Sequence, residues 1–212
     1  MVLARRWWRG VACAAMLLAL PATAVAQPQT IELPIEVSST GRELRAGPLG
    51  LNASAAEPAV EQIPIAIQID EAAVDAEVER NQIVDGLMLD PSGPWVVSWY
   101  EETGRLGEQD NTVMAGHLDY WGVGPAVFYN LADVQEDDEI RVTGAGGEVF
   151  TYQVEWGRLY QLEELDRQTI GEIVGPTQES SLTLITCGGE FDEATGQYLS
   201  RYVIRASLAS TS

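Results

Sequence analysis

Short strand-like runs separated by turn residues are the feature that most limits how this sequence can fold. Clusters of Gly, Pro, Asn and Asp divide residues 63–208 into runs rich in β-branched and aromatic residues. The runs are IPIAIQI (63–69), WVVSWY (95–100), NTVMAGH (111–117), DEIRVTG (138–144), EVFTYQVEWGRLY (148–160), SLTLITC (181–187) and RYVIRASL (201–208). This pattern predicts a mainly all-β domain built as a closed or nearly closed β-barrel. Helical structure is expected at LEELDRQTIGEI (162–173), as one full helix, and at VFYNLADV (127–134), as a short turn.

The N-terminus has the composition of an export signal. A basic stretch, MVLARRWWRG, precedes the apolar run VACAAMLLAL, and Ala24-Val25-Ala26 offers small residues for cleavage. The apolar run from Val11 to Ala26 is short for a membrane span, which needs about 20 residues. We therefore predict a signal peptide over residues 1–26, with an uncleaved membrane anchor as the alternative.

The rest of the chain divides by composition. Residues 27–58 are rich in Pro, Ser, Ala and Gly and are predicted to form a flexible stalk. Residues 59–209 are predicted to form one folded domain, followed by a tail at 210–212.

The net charge of the chain limits the kinds of molecule that it can bind. The chain has a formal net charge of -20, and its 12 basic residues are all arginine. Such an acidic surface repels nucleic-acid phosphates and anionic membranes. We therefore expect no nucleic-acid partner and membrane contact only through the N-terminal segment.

The two cysteines differ in their setting. Cys13 lies within the predicted targeting segment, so Cys187 is the only cysteine expected in the mature chain. An odd cysteine in an exported protein indicates a reactive thiol or an intermolecular bridge. The alternative is a buried cysteine that packs as a small apolar side chain.

His117 is the only histidine of the sequence, and Cys187 follows it by 70 residues. Each residue ends a predicted strand, and strand ends can meet in a small barrel. An imidazole close to a thiol can hold its proton and pass it to a leaving amine. Arg201 and Arg205 follow the cysteine on one face of a predicted strand, and either guanidinium can stabilise an oxyanion.

These residues resemble the motifs of sortases, the extracellular cysteine transpeptidases of mainly Gram-positive bacteria. The resemblance rests on TLITC (183–187), on AGH (115–117) and on an arginine in the strand after the cysteine. GPAVFYNLADVQEDDEIRV and LITCGGEFDEATGQY resemble the class often called F, with classes D and E close to it. The resemblance implies a closed eight-stranded β-barrel with one or two short helices.

The resemblance also implies roles for single residues. Cys187 matches the nucleophile and His117 the general acid/base. Arg201 follows a Thr195-Gly196 turn at the spacing of the sortase arginine, with Arg205 as the second candidate. Ala115, Leu184 and Thr186 lie within the same motifs and are assigned to substrate binding.

The implied reaction is a two-step acyl transfer at the outer face of the cytoplasmic membrane or in the cell wall. The thiolate cleaves a C-terminal sorting motif of a secreted protein, and an amine from a peptidoglycan precursor or a protein resolves the thioester. No cofactor is needed. Some sortases bind calcium through acidic loops, so EDDE (136–139) and the Glu pairs at 101–102 and 163–164 make calcium the alternative.

Other classes of cysteine enzyme differ from this sequence in the order or the signature of their residues. A papain-like protease has Cys before His, and a caspase-like one carries a Gln-Ala-Cys signature, which ITCGG lacks. An L,D-transpeptidase or another Cys/His cell-wall hydrolase remains an alternative, although no Ser-x-Gly-Cys motif follows the histidine. The non-enzymatic alternative is a β-rich surface module in which Cys187 is merely buried.

Overall fold

The computed structural model describes residues 62–212. The signal segment predicted over residues 1–26 and the stalk predicted over residues 27–58 lie outside the described residues, as does the predicted start of the domain at residue 59.

Strands dominate the described part of the chain. The strands are β1 (Pro64–Ile69), β2 (Val74–Asn81), β3 (Ile83–Val84), β4 (Leu87–Met88), β5 (Val97–Tyr100), β6 (Asn111–Ala115), β7 (Asp119–Tyr120), β8 (Gly124–Pro125), β9 (Glu139–Gly144), β10 (Val149–Gln161), β11 (Ser181–Asp192) and β12 (Gln197–Thr211). One α-helix, α1 (Arg167–Val174), lies between β10 and β11, and 3-10 turns occur at Leu131–Asp133 and Leu162–Glu164.

Eight of these strands form a closed barrel in the order β1-β2-β5-β6-β11-β12-β10-β9, and β9 pairs back onto β1. The pairs β2–β5 and β6–β11 are parallel, and the other neighbours are antiparallel. Closure pairs every strand of the barrel on both sides, so that its sheet has no free edge. The predicted mainly β fold with an eight-stranded closed barrel is confirmed.

Apolar residues pack on both faces of the barrel wall near α1. On β11, Leu182 and Leu184 point into the barrel interior, whereas Ile185 joins an outer cluster with Ile170 and Ile173 of α1. Fully burying an aliphatic side chain of this size contributes about 1.5–3 kcal/mol, so both layers hold β11 in place. Because side chains alternate along a strand, Cys187 lies on the same outer face as Ile185.

The helix predicted over residues 162–173 is divided in the structure. A 3-10 turn forms at Leu162–Glu164, and α1 begins only after Asp166. The Asp166 side chain accepts a hydrogen bond of 2.8 Å from the Thr169 backbone N–H, and Asp166 itself has extended backbone angles. It therefore acts as the N-cap that starts a new helix. The 3-10 turn at 131–133 lies within the segment predicted as a short helical turn.

Several strands differ from the sequence-based expectation. β11 continues to Asp192, five residues beyond its predicted run, and β12 begins at Gln197, four residues before its predicted run. β2 is absent from the predicted runs because Val74, Ala76 and Val78 alternate with acidic residues, which leaves the segment poor in β-branched and aromatic residues. β12 continues through Thr211, and Ser212 exchanges two backbone hydrogen bonds with Val149. Residues 210–212 therefore belong to the sheet instead of forming a separate tail.

Candidate active site

Three neighbouring strands bring the predicted catalytic residues together at one end of the barrel. Cys187 on β11 is the direct cross-strand partner of Arg201 on β12. On the other side, β6 runs parallel to β11 with Ala115 opposite Ile185, so His117 leaves β6 at the level of Cys187. The Gly116 N–H donates to the Ile185 carbonyl at 3.1 Å, which extends this pairing one residue toward His117.

His117 is held by contacts on three sides. Its Nε2 lies 3.3 Å from the Pro91 carbonyl oxygen, and its ring meets the ring of Tyr120 edge-on at a centroid distance of 5.2 Å. The Phe128 N–H donates to the His117 carbonyl at 2.9 Å. A Cβ at position 116 would lie 2.5 Å from the Phe128 ring, so the residue before His117 must be glycine for this turn to pack.

Cys187 is a free, half-buried thiol whose environment opposes ionisation. Burial raises the pKa of the Cys187 thiol, and the positive charge of Arg201 acts against that rise. The carboxylates of Asp90 and Asp119 add a smaller upward contribution to the same pKa. In this state the cysteine is therefore protonated over a wider pH range than a solvent-exposed cysteine.

The two candidate arginines have different partners. Arg201 is 6% exposed and donates through Nη1 to the backbone carbonyls of Tyr198 (3.0 Å) and Ser200 (2.9 Å). Its buried Nε has no hydrogen-bond partner within residues 62–212. The guanidinium beside Cys187 thus keeps donor capacity for a further acceptor.

Arg205 is directed toward α1. Its cross-strand partner is Thr183, four residues before Cys187. Its Nη2 donates to the carbonyls of Glu172 (3.1 Å) and Ile173 (2.7 Å), and its guanidinium lies 5.8 Å from the centre of the Trp156 ring. Burial lowers the pKa of Arg205. The Nε of Arg205 is buried and without a partner within residues 62–212, like that of Arg201. The two arginines therefore differ in their strand partners and Nη bonds, which hold Arg205 against the helix and away from the thiol.

A contact that the sequence did not reveal joins the two halves of the site. The Tyr198 hydroxyl, on β12, donates to the Asp119 carboxylate, on β7, at 2.5 Å. Burial and this bond to a carboxylate raise the pKa of Tyr198, so the phenol stays protonated as a donor. Asp119 follows His117 by two residues, but nothing in the sequence pairs it with a tyrosine 79 residues away.

The three residues predicted to bind substrate make internal contacts. Leu184 and Ala115 are 0% exposed, the first in the barrel interior and the second in the cluster under α1. Thr186 is 1% exposed, and its hydroxyl donates to the Gly116 carbonyl at 2.8 Å. Their side chains therefore build the frame that carries His117 and Cys187, and direct contact with substrate stays a prediction.

An apolar cleft adjoins Arg201. It lies between α1 and the outer faces of β11 and β12, and its walls include Leu165, Ile170, Ile185 and Val203. Its volume is about 10 Å³, which is about the space of one water molecule. A peptide side chain can enter only if the cleft widens.

Residues 62–212 contain no group of three or more His, Cys, Asp or Glu side chains arranged to hold a metal ion. Neither the absence of a cofactor nor the calcium alternative is tested by this observation. Among the same residues, no helix is both long enough and apolar enough to cross a membrane.

Comparison with protein families identifies one match. The sequence model of the Sortase domain matches residues 67–209, which is more than half of the chain. This range contains the residues of the site and all of the barrel strands except the first three residues of β1 and the last two of β12. No protein of curated function matches the sequence.

Solved structures with the same fold come from several sortases. A Clostridium perfringens sortase D5 transpeptidase is 22% identical with a TM-score of 0.50, over 69% of this chain and 79% of that chain. Sortase A of Listeria monocytogenes is 17% identical with a TM-score of 0.52, over 71% and 89% of the two chains. A lid mutant of sortase A from Corynebacterium diphtheriae is 20% identical with a TM-score of 0.54, over 70% of each chain. At these identities the likeness concerns the fold, and the resemblance to class F stays a prediction.

Proposed function

Because the chain belongs to the sortase family of cysteine transpeptidases, we propose that Cys187 is its nucleophile, His117 its general acid and base, and Arg201 its oxyanion donor. One observation carries this proposal: neighbouring strands bring the free thiol, the single histidine and a buried guanidinium to the same end of the barrel.

Acylation begins with attack of the Cys187 thiolate on the carbonyl carbon of the scissile peptide bond. The carbonyl π electrons move onto oxygen and give a tetrahedral oxyanion. When the oxyanion collapses, the C–N bond breaks and His117, as imidazolium, protonates the leaving amine. The products of this half-reaction are a Cys187 thioester and the free C-terminal fragment.

Deacylation reverses these roles. An incoming amine attacks the thioester carbonyl while the neutral imidazole of His117 accepts its proton. Collapse of the second oxyanion breaks the C–S bond and releases the Cys187 thiolate, with a new amide as the product. Atoms and charges balance without a cofactor, and we propose that none is required.

Arg201 is suited to stabilise both oxyanions. Its Nη1 is fixed by the carbonyls of Tyr198 and Ser200, so the guanidinium is held in place before the substrate arrives. A donor that is already oriented loses little entropy and needs no reorganisation when charge develops on the substrate oxygen. Its Nε has no partner within residues 62–212 but is buried, so it could bond the oxyanion only after the site opens around the substrate.

The raised pKa of Cys187 determines when the thiolate forms. In the free enzyme, burial keeps most of the sulfur protonated near neutral pH, and only the charge of Arg201 opposes this. We propose that the reactive form is the minor population in which His117 holds the proton of the thiol.

Sortases act at the cell surface on secreted proteins that carry a sorting motif. For this chain we propose such a protein as acyl donor and an amine from a peptidoglycan precursor or a protein as acceptor. The acidic surface of the domain agrees with a cationic amine as partner and disfavours nucleic acid. Membrane attachment would come only through the N-terminal segment.

Mass spectrometry of the full chain with a panel of sorting-motif pentapeptides tests the proposal. We expect a covalent adduct on Cys187 whose mass equals the peptide minus its leaving fragment. Cys187→Ala should form no adduct, and His117→Ala should cleave the peptide at a rate lower by about 10²–10⁴, the usual contribution of general acid catalysis. Circular dichroism should show both variants folded. Turnover within tenfold of wild type in either folded variant would contradict the mechanism.

A further inference from the structure

The C-terminal end of α1 contacts three buried polar side chains of the barrel, Asn111, Thr183 and Arg205. We call this set the α1 latch. Asn111 Nδ2 donates to the carbonyls of Ile173 (3.0 Å) and Gly175 (3.1 Å). The Thr183 hydroxyl donates to Asn111 Oδ1 at 2.7 Å and so fixes the orientation of that amide.

Arg205 adds a positive charge to the same helix end. It donates to the Glu172 and Ile173 carbonyls, and no carboxylate of residues 62–212 forms a salt bridge with it. The last carbonyls of a helix lack partners within the helix and carry partial negative charge. The positive charge of this buried arginine therefore balances the partial negative charge of the helix end, and not the charge of a salt-bridged carboxylate.

The residues of the α1 latch lie in an otherwise apolar part of the barrel wall. Buried polar side chains are costly unless they are hydrogen-bonded, and Asn111 and Thr183 are only 1% and 0% exposed. Apolar residues at these positions would pack against α1 without the free-energy cost of burying polar groups. The hydrogen bonds of the α1 latch fix the position of α1 along and across the barrel, which apolar contacts alone would not do.

That position matters for the cleft beside the reacting residues. Ile170 of α1 forms one wall of the cleft, and Ile185 and Val203 form the opposite wall. Ile185 precedes Cys187 by two residues, and Val203 follows Arg201 by two. Any shift of α1 away from the barrel widens the cleft directly next to the thiol and the guanidinium.

We propose that Asn111, Thr183 and Arg205 are positioning residues that anchor the C-terminal end of α1 and thereby set the width of the cleft in which the peptide substrate binds. The anchoring itself is independent of the reaction; its effect on peptide binding rests on the proposed function. Arg205 thus acts through α1, and Arg201 acts on the reacting atoms.

Hydrogen exchange of the full chain without substrate tests the anchoring. Thr183→Val removes one hydroxyl at nearly constant volume, and Arg205→Met removes the charge at similar length. We expect the amides of α1 to exchange about tenfold faster or more in both variants, because a lost buried hydrogen bond favours local opening. Exchange in β6, β11 and β12 should not change.

Two further variants make the comparison specific. Arg141→Met removes an arginine that bonds to Asp70 on the opposite side of the barrel and should leave exchange in α1 unaltered. Arg205→Lys keeps a cationic donor and should restore most of the protection. Unchanged α1 exchange in both Thr183→Val and Arg205→Met would overturn the proposal. Faster exchange spread equally over α1 and the barrel would overturn it too, because that indicates a general loss of packing.

Peptide kinetics test the consequence for the cleft. In Thr183→Val we expect KM for the sorting peptide to fall severalfold, because a peptide side chain enters the cleft only when α1 moves outward. The value of kcat should stay within about twofold of wild type, because the residue does not touch the reacting atoms. A lower kcat with unchanged KM would overturn the assignment to peptide binding. If the wild-type chain forms no adduct with any peptide, the proposed function fails, and the exchange measurements still decide the latch.

Discussion

At the scale of single residues, the structure distinguishes two arginines that share one face of β12. Arg201 lies opposite Cys187, whereas Arg205 donates to the end of α1. A lysine lacks the planar fork of arginine but keeps a cation with three N–H donors. Such a cation is what the helix end requires, whereas an oxyanion donor must also hold a fixed orientation. The two arginines should therefore respond differently to the same substitution.

We expect Arg201→Lys to lower kcat by about 10²–10³, which is the usual cost of losing one oxyanion donor. Arg205→Lys should retain most of the activity, because the lysine still places a cation at the helix end. Steady-state cleavage of a sorting peptide measures both. The reverse pattern would transfer the oxyanion role to Arg205, and near-normal rates in both variants would assign it to backbone amides around Cys187.

The protonation of Cys187 gives a second prediction at this scale. Burial raises the thiol pKa, so the thiolate fraction at a given pH is smaller than in an exposed cysteine and grows as the pH rises. In a Cys13→Ser chain, the rate of alkylation by iodoacetamide should reach its midpoint at a higher pH than in a cysteine peptide measured alongside. Arg201→Met should move the midpoint higher still, because the charge that favours the thiolate is gone. A midpoint at or below that of the peptide would contradict the described environment.

At the scale of secondary-structure elements, one hydrogen bond joins the two hairpins that border the site. Tyr198 is the second residue of β12 and Asp119 the first of β7, so their bond ties the β7–β8 hairpin after His117 to the β11–β12 hairpin after Cys187. The bond therefore limits how far His117 can move from the thiol.

Removal of this bond is tested with Tyr198→Phe. We expect amides of the β7–β8 hairpin to exchange faster and kcat to fall by about fivefold or more, as for the loss of a hydrogen bond to a charged acceptor. Tyr129→Phe is the matched control, because it removes a hydroxyl from an exposed ring on a neighbouring segment. Equal exchange and kcat in Tyr198→Phe and wild type would show that the hairpins are held by other contacts.

The elements also show what the sequence could predict. Strands with continuous β-branched runs, such as β11, were recognisable because both of their faces are buried. β2 was not, because acidic residues occupy its outer face. The division of the segment at 162–173 depends on the side-chain cap of Asp166, which a pattern of apolar residues does not reveal.

The sequence also predicted part of the candidate site, and the folded chain was needed for the rest. His117 stood out as the only histidine and Cys187 as the only cysteine expected in the mature chain, both at strand ends, and the resemblance to sortase motifs joined them. The choice between Arg201 and Arg205 needed the register of β11 against β12. The Tyr198–Asp119 bond and the α1 latch join residues that are distant in sequence, so only the folded chain shows them.

At the scale of the whole molecule, the barrel is complete within the described residues. β1 begins at Pro64 and closes the sheet by pairing with both β2 and β9, and β12 pairs with β10 as far as Thr211. Each strand of the closed sheet and each residue of the candidate site therefore lies within residues 62–212.

Removal of residues 1–58 should therefore leave the enzyme folded and active. We expect the shortened chain to unfold in one cooperative thermal transition, because the barrel closes around a single interior core. Its kcat and KM for a sorting peptide should equal those of the full chain, since the cleft and the reacting residues are retained. Calorimetry and peptide cleavage measure the two properties side by side.

A broad, non-cooperative transition in the shortened chain would place the domain boundary earlier than residue 59. Normal unfolding with a raised KM would instead mean that residues before 59 contribute to peptide binding.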